Sequence, residues 1–459
     1  MRVHHKTQSP EGARCNSPAH RAGEKASKLQ ALKGRNSWMG YYALSFLRRT
    51  GAVSRGDAPG YHMPPLRSFR LISHQRIFCN LIQQNPVQHI KDNKKPVLIS
   101  DAAPPASQEP DCEMLKGFWY IALRSNHIKG NRLRTAMLLG VPLVVGRNSE
   151  GRAFALRDSC PHRGIPLSCG RFDGELLECC YHGWRFEPAT GQCRDIPSLV
   201  SGSKLKVERI FADSFPCEER DGYIWVYMPD SRLRGGPPSA PSLPVFSSRY
   251  RITHLSAELP ANVDHGIIGL MDPAHGPFVH RSWWWRSRRS IHEKEKIFEP
   301  IPKGFRIRAH APSANSAPYK LLRVYGQPIT STIEFVLPNI RLEQIRCGPY
   351  WFSSRAAVTP VRSDHCHIDF CAAWNIFPRV PFVVSLFRIF ARMFLHQDQQ
   401  TMEKQAMGLK HNPSLMLIDD ADRPARWYFQ LKAAYLDSLR SGRPMEHPIT
   451  EPVTLRWRS

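Results

Sequence analysis

The sequence predicts an α+β chain in two folded parts: a small antiparallel β domain, then a larger domain whose helices cover a curved antiparallel sheet. Three observations carry that expectation. Short aromatic and branched runs, separated by Gly- and Asn-containing breaks, recur between Phe118 and Tyr227. A Pro-, Gly- and Ser-rich stretch from Arg232 to Pro244 then marks a boundary. Beyond it, strand-like runs between 320 and 375 precede helical patterns around 374–394 and 419–435. A chain of 459 residues with 42% apolar content has room for two or three cores. Twelve cysteines thinly spread suit reducing surroundings better than a disulfide scaffold. No run of eighteen apolar residues occurs, so no conventional membrane span is expected.

Taken in order, residues 1–110 form a basic stretch with little sign of a fold. They are expected to be a disordered or targeting extension, or to follow a start codon assigned too early. Residues 1–100 hold 17 Lys/Arg against 4 Asp/Glu, so 13 of the formal +25 charges sit there. The rest of the chain carries a modest surplus, and no nucleic-acid partner is expected on that ground. The small β domain is expected over 111–230, the larger domain over 231–440, and a C-terminal tail over 441–459. In the small domain, Phe118 to Leu123 opens as a strand, and Val141 to Arg147 and Ala153 to Asp158 flank the hairpin break Asn148-Ser149-Glu150-Gly151. Leu205 to Arg209 and Tyr223 to Tyr227 are the remaining strand candidates.

Two loops interrupt those strands with Cys160-Pro161-His162 and Cys179-Cys180-Tyr181-His182, sixteen residues apart. Thiolates favour iron in a sulfide cluster, and neutral imidazole suits an iron held at higher potential. Two ligands of each kind fit a [2Fe-2S] cluster with one cysteine-ligated and one histidine-ligated iron. Structural zinc is the competing reading. The order Cys-His then Cys-His disfavours it, because zinc fingers group their cysteines before their histidines. CPHRGIPLSCGRFDGELLECCYHGWRF resembles the Rieske motif in the form used by Rieske non-heme iron oxygenases. Ile165 stands where cytochrome-complex Rieske proteins carry a bracing cysteine, so Cys180 is expected to be a buried thiol and no disulfide partner.

The larger domain opens with Tyr250 to Leu255 as a strand and then His265 through His280. His275 and His280 are five apart, about 140° off register on a regular helix. Gly276-Pro277 between them predicts a distortion that turns both rings onto one metal. Asp272-Pro273-Ala274-His275 with His280 resembles the mononuclear iron motif of the same oxygenases. The resemblance implies Asp398 as the third ligand, with Glu403 as its rival. It also implies Asp272 as a bridge between His182 of one subunit and His275 of its neighbour. Two departures stand out: Gln397 replaces the usual acidic neighbour of that carboxylate, and Gly269 stands where related chains often carry Asn. Lys320 to Tyr325, Thr330 to Phe335 and Tyr350 to Val358 are strand candidates for the curved sheet. His365, His367 and Asp369 share one strand face and are expected to be its polar side. Trp283-Trp284-Trp285 with Arg286, Arg288 and Arg289 is expected to be a packed face with a charged rim.

The resemblance implies a helix-grip, START-like catalytic domain and a terminal oxygenase nearest the vanillate demethylase and pheophorbide a oxygenase branch. Electrons would pass from the [2Fe-2S] cluster to a mononuclear Fe(II). O2 would then hydroxylate or oxidatively demethylate an apolar or aromatic small molecule. Ring dioxygenation, desaturation and a non-enzymatic electron carrier are the alternatives. No dinucleotide fingerprint or plant-type ferredoxin run occurs, so NAD(P)H would act through a separate ferredoxin or flavin reductase. A homotrimer and a cytoplasmic or organellar setting complete the expectations; 374–394 is expected to pack in the core, with a cover over the cavity mouth or peripheral membrane contact as its alternatives.

Overall fold

The computed structural model describes residues 113–281, 288–312, 319, 322–377 and 382–459. The 1–110 extension and Trp283, Trp284, Trp285 and Arg286 lie outside the described residues. The first folded part holds eleven short strands in three small antiparallel sheets. They are β1 (Phe118–Arg124), β2 (Arg134–Leu138), β3 (Val141–Arg147), β4 (Ala153–Arg157), β5 (Arg171–Phe172), β6 (Leu177–Glu178), β7 (Arg185–Phe186), β8 (Cys193–Asp195), β9 (Ser214–Phe215), β10 (Cys217–Arg220) and β11 (Tyr223–Met228). The β10–β11 turn is Asp221-Gly222, with both φ angles positive at 51° and 76°. An Asp-Gly pair tolerates that conformation, and it sets a two-residue hairpin whose twist matches the strands. Leu205 to Arg209 is not a strand: Leu205 is exposed and Val207–Arg209 forms a single 3-10 turn. It lies beside β8, and the chain bonds to that strand only just beyond it, through Cys193 N–H to Ile210 O at 2.8 Å.

The second part is built on β12 (Arg251–Leu259), β13 (Glu293–Ile301), β14 (Gly304–His310), β15 (Ile329–Val336), β16 (Ile340–Cys347), β17 (Tyr350–Arg362), β18 (His365–Trp374) and β19 (Val453–Arg458). Among the described residues, four helices accompany it: α1 (Val263–Met271), α2 (Gly276–Val279), α3 (Val383–Leu409) and α4 (Arg423–Ser441). The expectation of a curved, helix-gripping sheet is corrected here. The eight strands lie in the linear order β12-β18-β17-β16-β15-β14-β13-β19, all antiparallel, so the sheet is open, with β12 and β19 at its edges. Bending a sheet takes bulges inside its strands. Here the register shifts fall near strand ends, at Pro360/Arg362 and Ile307/His310, and Phe352 to Pro360 pairs with Trp374 to Cys366 without interruption. Residues 441–459, set down above as a tail, supply the edge strand β19. Leu322 to Tyr325, expected as strand, forms a helical turn, while Lys320 and Leu321 lie outside the described residues.

Two buried clusters join the two parts. Trp119, Tyr223 and Trp225 from β1 and β11 pack on Trp351, Ala357, Cys371 and Ala373 of the large sheet. Arg355, 1% exposed, crosses that seam to Asp221 Oδ2 at 2.8 Å and lies over the Trp225 ring at 4.7 Å. On the opposite sheet face α1 packs against β17 and α4, while α3 runs along β12. Asp264 of α1 is held by Lys432 Nζ at 2.8 Å and by the Tyr428 hydroxyl, both from α4. A buried acid paired and hydrogen-bonded in this way locks the helix that leads into His275.

Candidate metal centres

The two loops of the small domain are built alike. Cys160 N–H donates to Ile165 O at 2.8 Å, and Gly164 N–H returns to Cys160 O at 2.8 Å. Cys179 N–H donates to Trp184 O at 2.8 Å, and Gly183 N–H returns to Cys179 O at 3.0 Å. Each loop therefore closes on its own cysteine, and each closing glycine has a left-handed φ, 72° and 69°, where a side chain would be strained. The cysteines are buried at 2% exposure each, and the histidines sit further out, His162 exposed and His182 half-buried. Their rings stand 4.5 Å apart, and Trp184 stacks on His162 at 4.6 Å. Burial pushes the Cys160 thiol up to about 11, with Cys179 beside it adding to the rise. Two buried thiols capped by two outward imidazoles fit a cationic metal group that would stabilise their thiolates. Cys180 and Cys169 are exposed and free, so the expectation of a buried Cys180 thiol is corrected: its neighbour Cys179 takes the inward position.

The second centre begins at Asn262, whose side chain caps α1 by accepting from His265 N–H at 2.9 Å. Pro273 stops the helix by forcing Asp272 into extended backbone, ψ 118°. The four-residue α2, with Pro277 in its first turn, then separates His275 from His280. His275 Nε2 and His280 Nε2 face each other at 3.1 Å, and Asp398 Oδ1 from α3 lies 3.1 Å from His280 Nε2. Two cis ligands with bonds of about 2.1 Å stand about 3 Å apart on one ion, so the set fits a divalent metal. Among the described residues, this is the one grouping of three such side chains close enough to do so. Glu403 is exposed and outside it. His365, His367 and Asp369 are paired off instead, His365 with Glu258 at 2.6 Å and His367 with Asp369 at 2.9 Å.

Asp272 accepts from Ala274 N–H at 2.6 Å and lies 3.6 Å from His275 Nδ1, which itself donates to Asp272 O at 2.8 Å. Burial works against a charged Asp272, but His275 outweighs it and holds the carboxyl below the usual carboxylate range. Burial likewise opposes protonation of His275, and Asp272 and then Asp398 overcome it, leaving the ring above its ordinary value. The resemblance assigns the Asp272–His182 bridge to neighbouring subunits, and within one chain the two residues share no hydrogen bond among the described residues. At Gly269 an added Cβ would lie 3.3 Å from Met402 Cε. Met402 of α3 thus packs over the position where related chains often carry Asn.

A cavity of about 560 Å³ opens beside His275 and Asp398, lined by Leu259, Ile268, Leu270, Met271, Ile368 and Met402 among others. That size and apolar lining suit a small organic molecule. Sequence reasoning missed the groups that steady the metal ligands. Gln397 was marked only as a departure, and Phe394, stacked on His280 at 3.3 Å, and Trp184 were not singled out. For Phe394 the available signal was its spacing, one helical turn before Asp398. The geometry separates the two candidate carboxylates by experiment. Asp398→Asn is expected to cut metal affinity at this centre roughly 10–100-fold or more, and Glu403→Gln to leave it unchanged, as measured by Fe(II) titration against a chromophoric chelator.

The Rieske [2Fe-2S] domain family matches residues 118–214. Chlorophyllide a oxygenase, chloroplastic, of Chlamydomonas reinhardtii is 29% identical over 301 residues, 62% of this chain and 43% of that protein. The 3-chlorobenzoate-3,4-dioxygenase oxygenase subunit of Comamonas testosteroni is 30% identical over 193 residues, 41% of this chain and 42% of that one. The chain therefore spans less than half the length of these relatives. The crystal structure of dicamba monooxygenase bound to dicamba superposes with a TM-score of 0.57 at 22% identity, over 72% of this chain and 99% of that chain. At that identity the likeness is one of fold. Residues 118–214 are thus a Rieske [2Fe-2S] domain, followed in the same chain by a grouping of two histidines and a carboxylate fit for one metal ion, on a fold like that of dicamba monooxygenase.

Proposed function

We propose that the chain is the oxygenase component of a multi-component system that hydroxylates or oxidatively demethylates a small apolar or aromatic substrate. The observation that carries it is the convergence of His275, His280 and Asp398 beside an apolar cavity in a chain that also holds the Cys160, His162, Cys179 and His182 loops. When bound, the cluster carries single electrons and a mononuclear Fe(II) makes O2 reactive. Cys160, His162, Cys179 and His182 would hold the first, and His275, His280 and Asp398 the second. In the balance, one oxygen atom of O2 enters a C–H bond and the other leaves as water, with two electrons and two protons consumed. The electrons come from NAD(P)H through a separate ferredoxin or flavin reductase, whose acidic face would suit the basic surplus of this chain.

The chain's own contribution is positional. Asp272 and Gln397 orient the ligand rings, and the apolar walls bring substrate beside the triad and keep bulk water away. Asp272 would also join His275 to His182 of a neighbouring subunit in a homotrimer. Asp272→Asn is then expected to leave metal content at both centres intact and to lower single-turnover product formation by roughly 10–100-fold. Rapid-mix oxidation of the reduced cluster in the presence of substrate and O2 checks it, and an unchanged oxidation rate excludes the bridge. No helix among the described residues is long and apolar enough to cross a membrane. The chloroplastic naming of the algal relative supports a targeting role for the basic 1–110 stretch. Oxygen uptake with a surrogate reductase, screened over aromatic and polycyclic compounds, tests the whole proposal. Reductase-dependent cluster turnover with no oxygenated product from any of them would favour the electron-carrier alternative.

A further inference from the structure

We infer that Gln397 is a positioning residue that fixes the tautomer of His280 and tunes the metal held beside it. This rests on reading His275, His280 and Asp398 as the mononuclear iron site. A neutral imidazole carries one N–H and one lone pair, so a ring that offers Nε2 to a metal must carry its proton on Nδ1. His275 gives that proton to a backbone carbonyl, Asp272 O, at 2.8 Å. His280 gives it to a side chain, Gln397 Oε1, at 3.1 Å. The reverse amide orientation would turn an N–H of Gln397 toward Nδ1 and drive the ring proton onto Nε2, where it would block ligation. Only the accepting oxygen is compatible with a metal at Nε2.

His280 has no easy substitute for this partner. It is 3% exposed, so water cannot take over the Nδ1 proton. The ring is held from three directions by α3 alone: Phe394 stacks on its face at 3.3 Å, Gln397 accepts at one nitrogen, and Asp398 Oδ1 stands 3.1 Å from the other. Thr401 Oγ1 donates to Gln397 O at 2.9 Å, one turn on. The charge of the acceptor is the second half of the inference. A carboxylate at 397 would draw the Nδ1 proton and make the ring a stronger donor, stabilising ferric over ferrous iron. A neutral amide leaves His280 a weaker donor and keeps the potential of the bound metal higher. Gln397 thereby favours delivery of electrons to this centre.

The test uses the full chain with its cluster in place and the mononuclear site emptied by a chelator and refilled with Fe(II). Gln397→Leu keeps bulk and removes the acceptor, and Gln397→Glu keeps the acceptor and adds charge. Gln397→Leu is expected to weaken Fe(II) binding roughly 10–100-fold, with the visible cluster spectrum unchanged. Gln397→Glu is expected to retain the affinity and shift the ferric/ferrous midpoint to lower potential in an EPR-monitored redox titration. Wild-type affinity in Gln397→Leu, or an unmoved midpoint in Gln397→Glu, overturns the inference while leaving the iron site standing. A wild-type chain that binds no Fe(II) at this site overturns the iron reading itself.

Discussion

His275→Ala is expected to abolish product formation while leaving the visible spectrum of the cluster unchanged. The triad offers three donor atoms within 4.8 Å of one another; His275 borders the cavity with Asp398 and is the member that bonds to Asp272. Without it, His280 and Asp398 remain as two ligands, too few to retain Fe(II) against solvent and chelators. Chain-bound metal should then fall from about three irons and two sulfides to about two of each. The fold should persist. His275 is only half-buried and precedes a four-residue helix, and the core of this region is made by Val263, Ile267 and the residues of β17 and α4. The cluster should persist as well, because its loops close on their own backbone and borrow nothing from α1 or α2. Iron and sulfide quantification, followed by oxygen uptake with a surrogate reductase, checks both halves. His365→Ala is the matched control, since His365 is committed to Glu258 and lies outside the triad. Equal iron content in His275→Ala and wild type would remove the basis for a mononuclear centre.

The contrast between what the sequence disclosed and what it concealed follows from range. The cluster loops are local: ligands, turn glycines and closing hydrogen bonds all fall between Cys160 and Trp184, so spacing alone exposes them. The histidine pair was legible in part for the same reason: Gly276-Pro277 predicts the distortion that brings both rings together, while reading them as metal ligands leaned on the cluster motif upstream and on family resemblance. Asp398 lies over a hundred residues further on and could be reached only through family resemblance. Gln397 carries no local signal for its contact. Whether it meets His280 depends on how α3 is rotated over β12, which packing decides. The sheet shows the same limit. Alternation identified β15 and β17, but the open order ends on β19, which pairs with β13 across some 160 residues of chain. No strand sequence encodes that edge. Local alternation also misled at Leu205 to Arg209 and at Leu322 to Tyr325, which form helical turns instead of strands.

Cys179→Ser should have a second, comparably large effect, and a structural one. Cys160 and Cys179 are each 2% exposed and belong to the same small core as Leu156, Leu167, Leu177 and Phe186. The sheet beside them consists of β5, β6, β7 and β8, each of two or three residues. Strands so short do not stabilise themselves, so bound metal supplies much of the free energy that orders the loops. Without a full ligand set, visible absorption should vanish and chain-bound iron should fall to about one per chain. The segment between Asp158 and Ala212 should lose hydrogen-exchange protection. The sheet β1-β11-β10 should keep its protection, because Trp119, Tyr223 and Trp225 are anchored on the large sheet rather than on the cluster loops. The His275–His280–Asp398 site should still take up Fe(II). Cys180→Ser separates ligand loss from simple removal of a thiol: Cys180 is exposed beside Cys179 and should leave both spectrum and protection unchanged. Wild-type protection across Cys160 to Phe186 in the Cys179→Ser chain would mean that these loops are ordered by packing alone.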